Sequence, residues 1–341
     1  MIPRPPGHYT ADPAFTAWVR ALPKTETHLH LEGSTPPELL AAALPGHAAA
    51  GPLPPPFWYP EFRYNNFDQF ESLYIAEVMP FYSSVERYHL AARAVLARCA
   101  AQGCRYVELS FHLPGLAFSA LNGPAVLAAL HAAAPPGLAL RVFAGLCHHD
   151  YAPHRDLIEA AIHWPDLAGF DLHGPEYLPV EPWTADVWAR ARAAGKFNKA
   201  HAGEFMPAAF VAWVVDHLGV TRIQHGVRAI EDPALVRRLA AEGIALDVCP
   251  ISNVKLAVSG VPSMSAHPIR ALFDAGVKVT INTDDTYFFG NNLEEEYFAL
   301  HQELGFTRAE LVQVARNGID LALLDEATKV PIYAELAAIP V

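Results

Sequence analysis

Short apolar runs rich in β-branched and aromatic residues alternate along the chain with longer Ala- and Leu-rich stretches of helical periodicity. The short runs fall at 25–31, 106–111, 141–147, 169–172, 197–201, 221–225, 245–249 and 278–283. Helical stretches lie between most of them, at 86–101, 124–134, 154–163, 184–194, 207–218, 232–241 and 268–275. Strands interleaved with helices predict a parallel sheet, and eight strands are the number that closes a (β/α)8 barrel. Two more helices, at 293–304 and 307–317, follow the last strand. No linker, charge run or repeat marks a second domain, so residues 1–341 are read as one barrel domain.

One region breaks the alternation. Residues 46–70 are first Pro-rich and then aromatic-rich, with Phe57, Trp58, Tyr59, Phe62, Tyr64, Phe67 and Phe70. The segment follows the first strand, so an insertion there lies over the C-terminal face of a barrel. Two readings stand side by side: an apolar lid that stacks on an aromatic ligand, or a loop packed down by its own aromatics.

Composition narrows the class. Hydrophobic residues make up 52% and charged residues 18%, enough apolar material for a large core. Lys and Arg number 24 against 36 Asp and Glu, a net charge of −12 without any basic run, which argues against a nucleic-acid partner. The cysteines Cys99, Cys104, Cys147 and Cys249 form no C-x-x-C pair and read as buried, reduced thiols. The opening Met1-Ile2-Pro3-Arg4-Pro5-Pro6 has no apolar signal core, and no stretch approaches the ~18 apolar residues of a membrane helix. A cytoplasmic protein with no membrane partner is expected; oligomeric state is not readable from the sequence.

The candidate chemistry sits at the strand ends. In Thr27-His28-Leu29-His30-Leu31-Glu32-Gly33 two histidines lie two residues apart, and on a strand both point to one face. The fifth run ends in His201-Ala202-Gly203-Glu204, the sixth in His225-Gly226, and the eighth is followed by Asp284-Asp285. Catalytic groups of an α/β barrel come from the C-terminal ends of several strands. Each motif alone has an ordinary structural reading, as a helix cap, a turn or a strand terminus; their convergence on one pocket is what points to a site. His28, His30, His201 and Asp284 offer three nitrogens and one oxygen, a donor set suited to a catalytic zinc with one open position. His225, Glu204 and Asp285 are then left for proton traffic and substrate contacts. His173 ends the fourth run and lines the pocket, with a structural or hydrogen-bonding role favoured over ligation. His148 and His149 point to opposite faces if extended, and His267, just before Pro268, reads as loop-to-helix punctuation.

These residues resemble the adenosine/adenine deaminase family. The matching motifs are Leu22-Pro23-Lys24-x-Glu26-x-His28-x-His30-Leu31-Glu32-Gly33-Ser34, His201-Ala202-Gly203-Glu204, Arg222-Ile223-x-His225-Gly226, Cys249-Pro250-x-Ser252-Asn253 and Asn282-Thr283-Asp284-Asp285. The resemblance implies a metal-dependent hydrolase on a (β/α)8 barrel that removes the 6-amino group of a purine as ammonia. It assigns one Zn²⁺ per chain to His28, His30, His201 and Asp284. It makes Glu204 the acid that protonates purine N1, and His225 the residue that positions and deprotonates the water. Asp285 would contact the water and N7, and the Gly174 N–H would contact N3.

Departures from the family pattern bear on substrate. Glu32 stands where adenosine deaminases usually carry Asp reaching toward the ribose. His-Leu-Glu-Gly resembles adenine deaminases, which act on the free base. Gly174-Pro175-Glu176, and the stretch from His267-Pro268-Ile269 to Glu296-Tyr297, resemble deaminases of 6-aminodeoxyfutalosine, an adenine nucleoside with a bulky 5′ extension. The expected partner is therefore a small-molecule purine nucleoside, with free adenine as the alternative. Two other readings are a two-metal amide or phosphoester hydrolase and a non-catalytic purine-binding protein. The first lacks a lysine after the fourth strand, and the second would have lost a ligand or the acid.

Overall fold

A computed structural model describes residues 9–44 and 54–341. Eight parallel strands pair in sequential order: β1 Lys24–His30, β2 Cys104–His112, β3 Ala139–Leu146, β4 Gly169–Leu172, β5 Lys199–Ala202, β6 Arg222–His225, β7 Ala245–Val248 and β8 Lys278–Ile281. The ring is closed just beyond β8, where the Asp284 N–H donates to the His28 carbonyl (3.2 Å) and the His30 N–H donates to the Asp284 carbonyl (3.3 Å). This is the expected (β/α)8 barrel, and each expected strand lies within two residues of its position.

The expected helices are present, and local signals set their ends. Ser84, Asn122 and Asp232 cap the helices Val85–Ala101, Gly123–Ala132 and Pro233–Glu242 by accepting from backbone N–H groups. Thr307 and Glu310 form a capping box at the start of Arg308–Leu321. The 207–218 stretch divides into an α-helix, Ala208–Trp213, and a π-helical turn, Val214–Leu218. Helices Pro13–Ala21, Phe67–Glu77 and Glu326–Ala337 add to those read from the pattern.

The floor of the barrel is ionic rather than aliphatic. Arg222 on β6 bridges Glu108 on β2 (3.0 Å) and Asp247 on β7 (2.6 Å), and Lys199 on β5 lies 3.2 Å from Glu108. Thr27 and Thr280 donate to the second Asp247 oxygen, and all six side chains are buried. Buried charges persist only when paired and hydrogen-bonded, and here each is.

Of the 46–70 segment, residues 46–53 lie outside the described residues. The rest is packed down by its own aromatics. Phe57, Trp58, Tyr64, Phe67 and Phe70 are buried, Tyr64 packs edge-on against Phe70 and Phe289, and the Tyr64 hydroxyl donates to the Phe288 carbonyl. The Lys255 ammonium donates to the Phe57 and Tyr59 carbonyls and pins the segment to the loop after β7. Phe67 and Phe70 nevertheless face the main cavity, so the packed loop is also part of its wall. All four cysteines are free and buried. Among the described residues no helix is long and apolar enough to cross a membrane.

Candidate active site

The strand ends deliver their side chains to one point. His28 and His30 leave β1 on the same face, with ring centroids 5.3 Å apart. His201 from β5 places its Nε2 3.1 Å from the Nε2 of His28. Asp284 places Oδ1 3.3 Å from His30 Nε2 and 3.5 Å from His28 Nε2. Among the described residues with positive φ that are not glycine, His225 (64°) and Asp284 (65°) are two of four. Such backbone strain in a polar residue is held by its surroundings and clusters at functional sites.

The groups behind the histidines fix which nitrogens face inward. His28 Nδ1 lies 3.0 Å from the Asp247 carbonyl, which only accepts, so Nδ1 carries the proton and the inward Nε2 is bare. His201 Nδ1 likewise faces the Leu172 carbonyl (2.9 Å) and the Asp171 carboxylate (3.2 Å). With the two Nε2 atoms turned on each other at 3.1 Å, a positive charge between them, a proton or a metal ion, stabilises the contact. Two nitrogens at 2.0–2.1 Å from a tetrahedral zinc are about 3.3–3.4 Å apart, so the pair fits a divalent ion. The second ring nitrogen held by a carbonyl or carboxylate is also how metal-binding histidines are oriented. Burial opposes a charge on His201, yet Asp171 behind it lifts its pKa above the ordinary histidine value. Burial would raise Asp284, but His28, His225 and His30 around it hold its carboxyl well below the usual range. Ser252 donates to Asp284 Oδ2 at 2.6 Å, which leaves Oδ1 turned to the histidines. His28, His30 and His201 thus lie within ligand reach of one another, and Asp284 lies beside His28 and His30, in overlapping donor groups that also take in His225, Cys249 and Asp285.

The three proton-handling candidates ring this cluster. Glu204 Oε2 lies 3.4 Å from His225 Nε2, and Glu204 Oε1 is buried without a partner. Burial, with Asp284, Glu176 and Asp285 nearby, pushes the Glu204 carboxyl well above its ordinary pKa. Burial and the adjacent Asp284 do the same to Asp285, whose Oδ1 also lacks a partner. A β-carbon on Gly33 would lie 1.7 Å from Asp285 Oδ1, so this approach requires glycine. His225 Nδ1 faces the Asn253 amide nitrogen at 3.0 Å.

A cavity of about 640 Å³ opens over these groups, lined by His30, His201, Glu204, His225, Asp284 and Asp285 on its floor. Phe67, Phe70, Tyr74 and Leu256 contribute apolar wall, and Ile75 and Phe118, both exposed, extend it outward. His173 and Gly174 also line it; the His173 ring stacks on His30 and its Nε2 lies 3.3 Å from His112 Nδ1. Gly174 has φ +83°, and a β-carbon there would lie 2.7 Å from Cys147 Sγ.

Glu32 is placed differently from the substrate contact expected for it. It is fully buried and is not among the residues lining the cavity. One oxygen accepts from the His112 N–H (3.0 Å), and the other faces the Tyr74 hydroxyl (3.4 Å). Glu32 therefore ties β1 to the end of β2 and to the helix Phe67–Glu77.

Several site residues were not singled out by the sequence. Glu176 accepts from the Glu204, Phe205 and Met206 N–H groups (3.1, 3.0 and 2.7 Å) and shapes the loop that carries Glu204. Asp171 orients His201. His267 stands at the loop-to-helix junction as read, accepting the Ile269 N–H, and it is also buried, with Nε2 3.1 Å from Asn253 Oδ1. The motifs containing Glu176 and Asn253 were visible, but their contacts are long-range and leave no spacing signal.

A closed parallel barrel whose strand ends gather a metal-type donor cluster, an acid and a histidine defines an amidohydrolase-type enzyme. The family description "Adenosine deaminase" matches residues 23–339. The chain is 35% identical over 340 residues to an adenine deaminase of Rhodospirillum rubrum, covering 96% of this chain and 99% of that one. It is 34% identical over 329 residues to an adenine deaminase of Streptomyces coelicolor, covering 93% and 95%. The crystal structure of adenine deaminase from Arthrobacter aurescens superposes with a TM-score of 0.80 at 28% identity, covering 92% and 98%. An amidohydrolase from Burkholderia ambifaria, with bound Zn, also gives 0.80 at 26% identity, covering 98% and 95%. The chain belongs to the adenosine deaminase family and is a hydrolytic deaminase.

Proposed function

We propose that the enzyme hydrolyses the 6-amino group of adenine to a 6-oxo group and ammonia, with one zinc ion held by His28, His30, His201 and Asp284. The observation that carries this reading is Glu204. It is a buried carboxyl that burial pushes well above its ordinary pKa, toward the protonated form, with one unpartnered oxygen, and it lines the apolar-walled cavity beside the donor cluster. A proton delivered from Glu204 to ring N1 makes C6 electrophilic. A divalent metal in the cluster would supply a water of lowered pKa, near 7. Asp285 and His225 flank the same floor and orient the incoming water, while Phe67, Phe70 and Tyr74 exclude bulk solvent from the ring. His173 and the Gly174 backbone are the wall against which the purine edge is read. Free adenine is favoured over a nucleoside because Glu32 is committed to His112 and Tyr74, and because the relatives at about a third identity are named adenine deaminases.

The cavity supports a second reading. About 640 Å³ lies within the range of roughly 300–1,000 Å³ that holds drug-sized ligands, and its outer part reaches Ile75, Phe118 and His154. An adenine nucleoside with a 5′ extension, such as 6-aminodeoxyfutalosine, would fill that space. Ammonia release with adenine, adenosine and 6-aminodeoxyfutalosine, compared as kcat/KM, decides between them. Preference for adenine supports the first reading, preference for the extended nucleoside the second, and no release from any of the three refutes both.

A further inference from the structure

The ends of β2, β3 and β4 carry a second set of donors, apart from the strand ends that build the first cluster. His112 is the last residue of β2, and Cys147 and His173 directly follow the last residues of β3 and β4. These strands are neighbours in the ring, with His112 paired to Gly145 and Leu146 to Leu172. Their donors come out side by side: one ligand atom from each of the three residues lies within 4.8 Å of the other two. His112 Nδ1 and His173 Nε2 are 3.3 Å apart. A hydrogen bond between the rings at that distance is a long one, whereas two nitrogens on a tetrahedral zinc are about 3.3–3.4 Å apart. Two glycines make the approach possible. A β-carbon on Gly145 would lie 2.7 Å from His173 Nε2, and one on Gly174 would lie 2.7 Å from Cys147 Sγ. Cys147 is a free thiol, and all three residues line the main cavity. The Asp150 carboxylate accepts the Cys147 N–H at 2.6 Å, lines the same cavity, and brings a negative charge to this side of it.

We propose that His112, Cys147 and His173 form a second metal site, suited to a thiophilic divalent ion such as zinc or cadmium. Two imidazoles and one thiolate are a nitrogen–sulfur donor set, which favours such ions over magnesium or calcium. Binding forms a metal–sulfur bond and releases the thiol proton to solvent, because a coordinated thiol is deprotonated. All three donors stand on the wall of the cavity, so the remaining coordination position opens into it. His173 and Gly174 are also the wall assigned to the purine edge, so an ion held there and a bound purine exclude one another. Excess metal then inhibits by taking the place of the substrate while the first cluster keeps its own ion. This inhibitory consequence rests on the deaminase reading; the site itself does not.

The test is a titration with Cd²⁺ of the enzyme loaded with a single equivalent of zinc. It is read as the ultraviolet sulfur-to-cadmium charge-transfer band, with elemental analysis after gel filtration. Cadmium taken up with that band while the zinc is retained supports the site. Cadmium that enters only as zinc leaves, or no retained cadmium, overturns it. Cys147→Ser should abolish the band and weaken cadmium binding about tenfold or more; a band of wild-type size in this variant puts the metal on another thiol and overturns the proposal. His112→Ala keeps every thiol and should weaken cadmium binding by a similar factor with zinc retained, so an unchanged affinity there overturns the proposal as well. In turnover, cadmium should raise KM for adenine and leave kcat unchanged; a fall in kcat at saturating adenine would overturn the competition between ion and purine. No ammonia from any 6-aminopurine with the cadmium-free enzyme would refute the deaminase reading, while the band would still decide the site.

Discussion

Glu204 and His225 meet at one oxygen: Glu204 Oε2 lies 3.4 Å from His225 Nε2, and Glu204 Oε1 has no partner. The first contact orients the carboxyl and leaves the second oxygen to the substrate. Glu204→Gln keeps the shape but removes the transferable acid proton. The expected result is a fall in kcat of about 10²–10⁴-fold, with metal content by elemental analysis unchanged. Wild-type turnover in this variant would remove Glu204 from the acid role.

Gly33→Ala tests the placement of Asp285. The added β-carbon would lie 1.7 Å from Asp285 Oδ1, so the carboxylate has to move. Displacement of a reacting group by about 1 Å can cost on the order of 10² in rate. We expect that loss in kcat, with metal retained because Gly33 contacts Asp285 and not the donor cluster. An unchanged kcat would show that Asp285 is not needed where it stands.

Glu32→Gln separates structural from substrate roles. With Glu32 outside the cavity lining, the ratio of kcat/KM for adenine over adenosine should stay constant, even if both fall as the His112 and Tyr74 bonds weaken. A tenfold change in that ratio, about 1.4 kcal/mol, would mean that the side chain reaches the ligand.

His267 gives stability a measurable pH dependence. Burial pushes its pKa down to about 3, whereas the unfolded residue titrates near 6.5. Between those values the unfolded chain binds a proton that the folded chain refuses. The stability this residue contributes is therefore present above pH 6.5 and is lost as pH falls toward 3, with a slope approaching ~1.4 kcal/mol per pH unit. In His267→Gln the proton is absent from both states. The stability gap between wild type and variant in urea should narrow from pH 7 to pH 5, and a constant gap would contradict the assignment.

Arg222→Leu tests the ionic floor. It leaves Glu108 and Asp247 buried opposite no guanidinium, a loss on the order of 3–5 kcal/mol. The denaturation midpoint should drop sharply, and a midpoint equal to wild type would show that the network carries little net stability.

The strand count and order were legible because fully buried parallel strands are short apolar runs between helices of clear periodicity, as at 245–249 and 278–283. The donor cluster was legible because His28 and His30 share a face and because barrel sites collect at strand ends. What escaped lies one layer out. Glu176, Asp171 and His267 act through neighbours 28, 30 and 14 residues distant in sequence. Such contacts follow from closure of the ring and have no period of their own. Glu32 was misplaced for a related reason. Its backbone lies beside the ligands, but its carboxylate turns away to bind His112 N–H, and a side chain's direction is set by partners that sequence does not show.

The hydrogen bonds that join Asp284 to His28 and His30 are the last stitch in the sheet, and the same residues are the donors proposed for the metal. Residues more than 250 positions apart must meet before either side of the cluster exists. Under the proposed assignment, metal uptake works as a census of finished molecules. If one zinc binds per chain as proposed, a preparation that falls short of that contains barrels that never sealed, however normal its helical signal. Under that assignment, chains truncated before Asp284 keep His28, His30 and His201 but lose the fourth donor, and their affinity for the ion should fall.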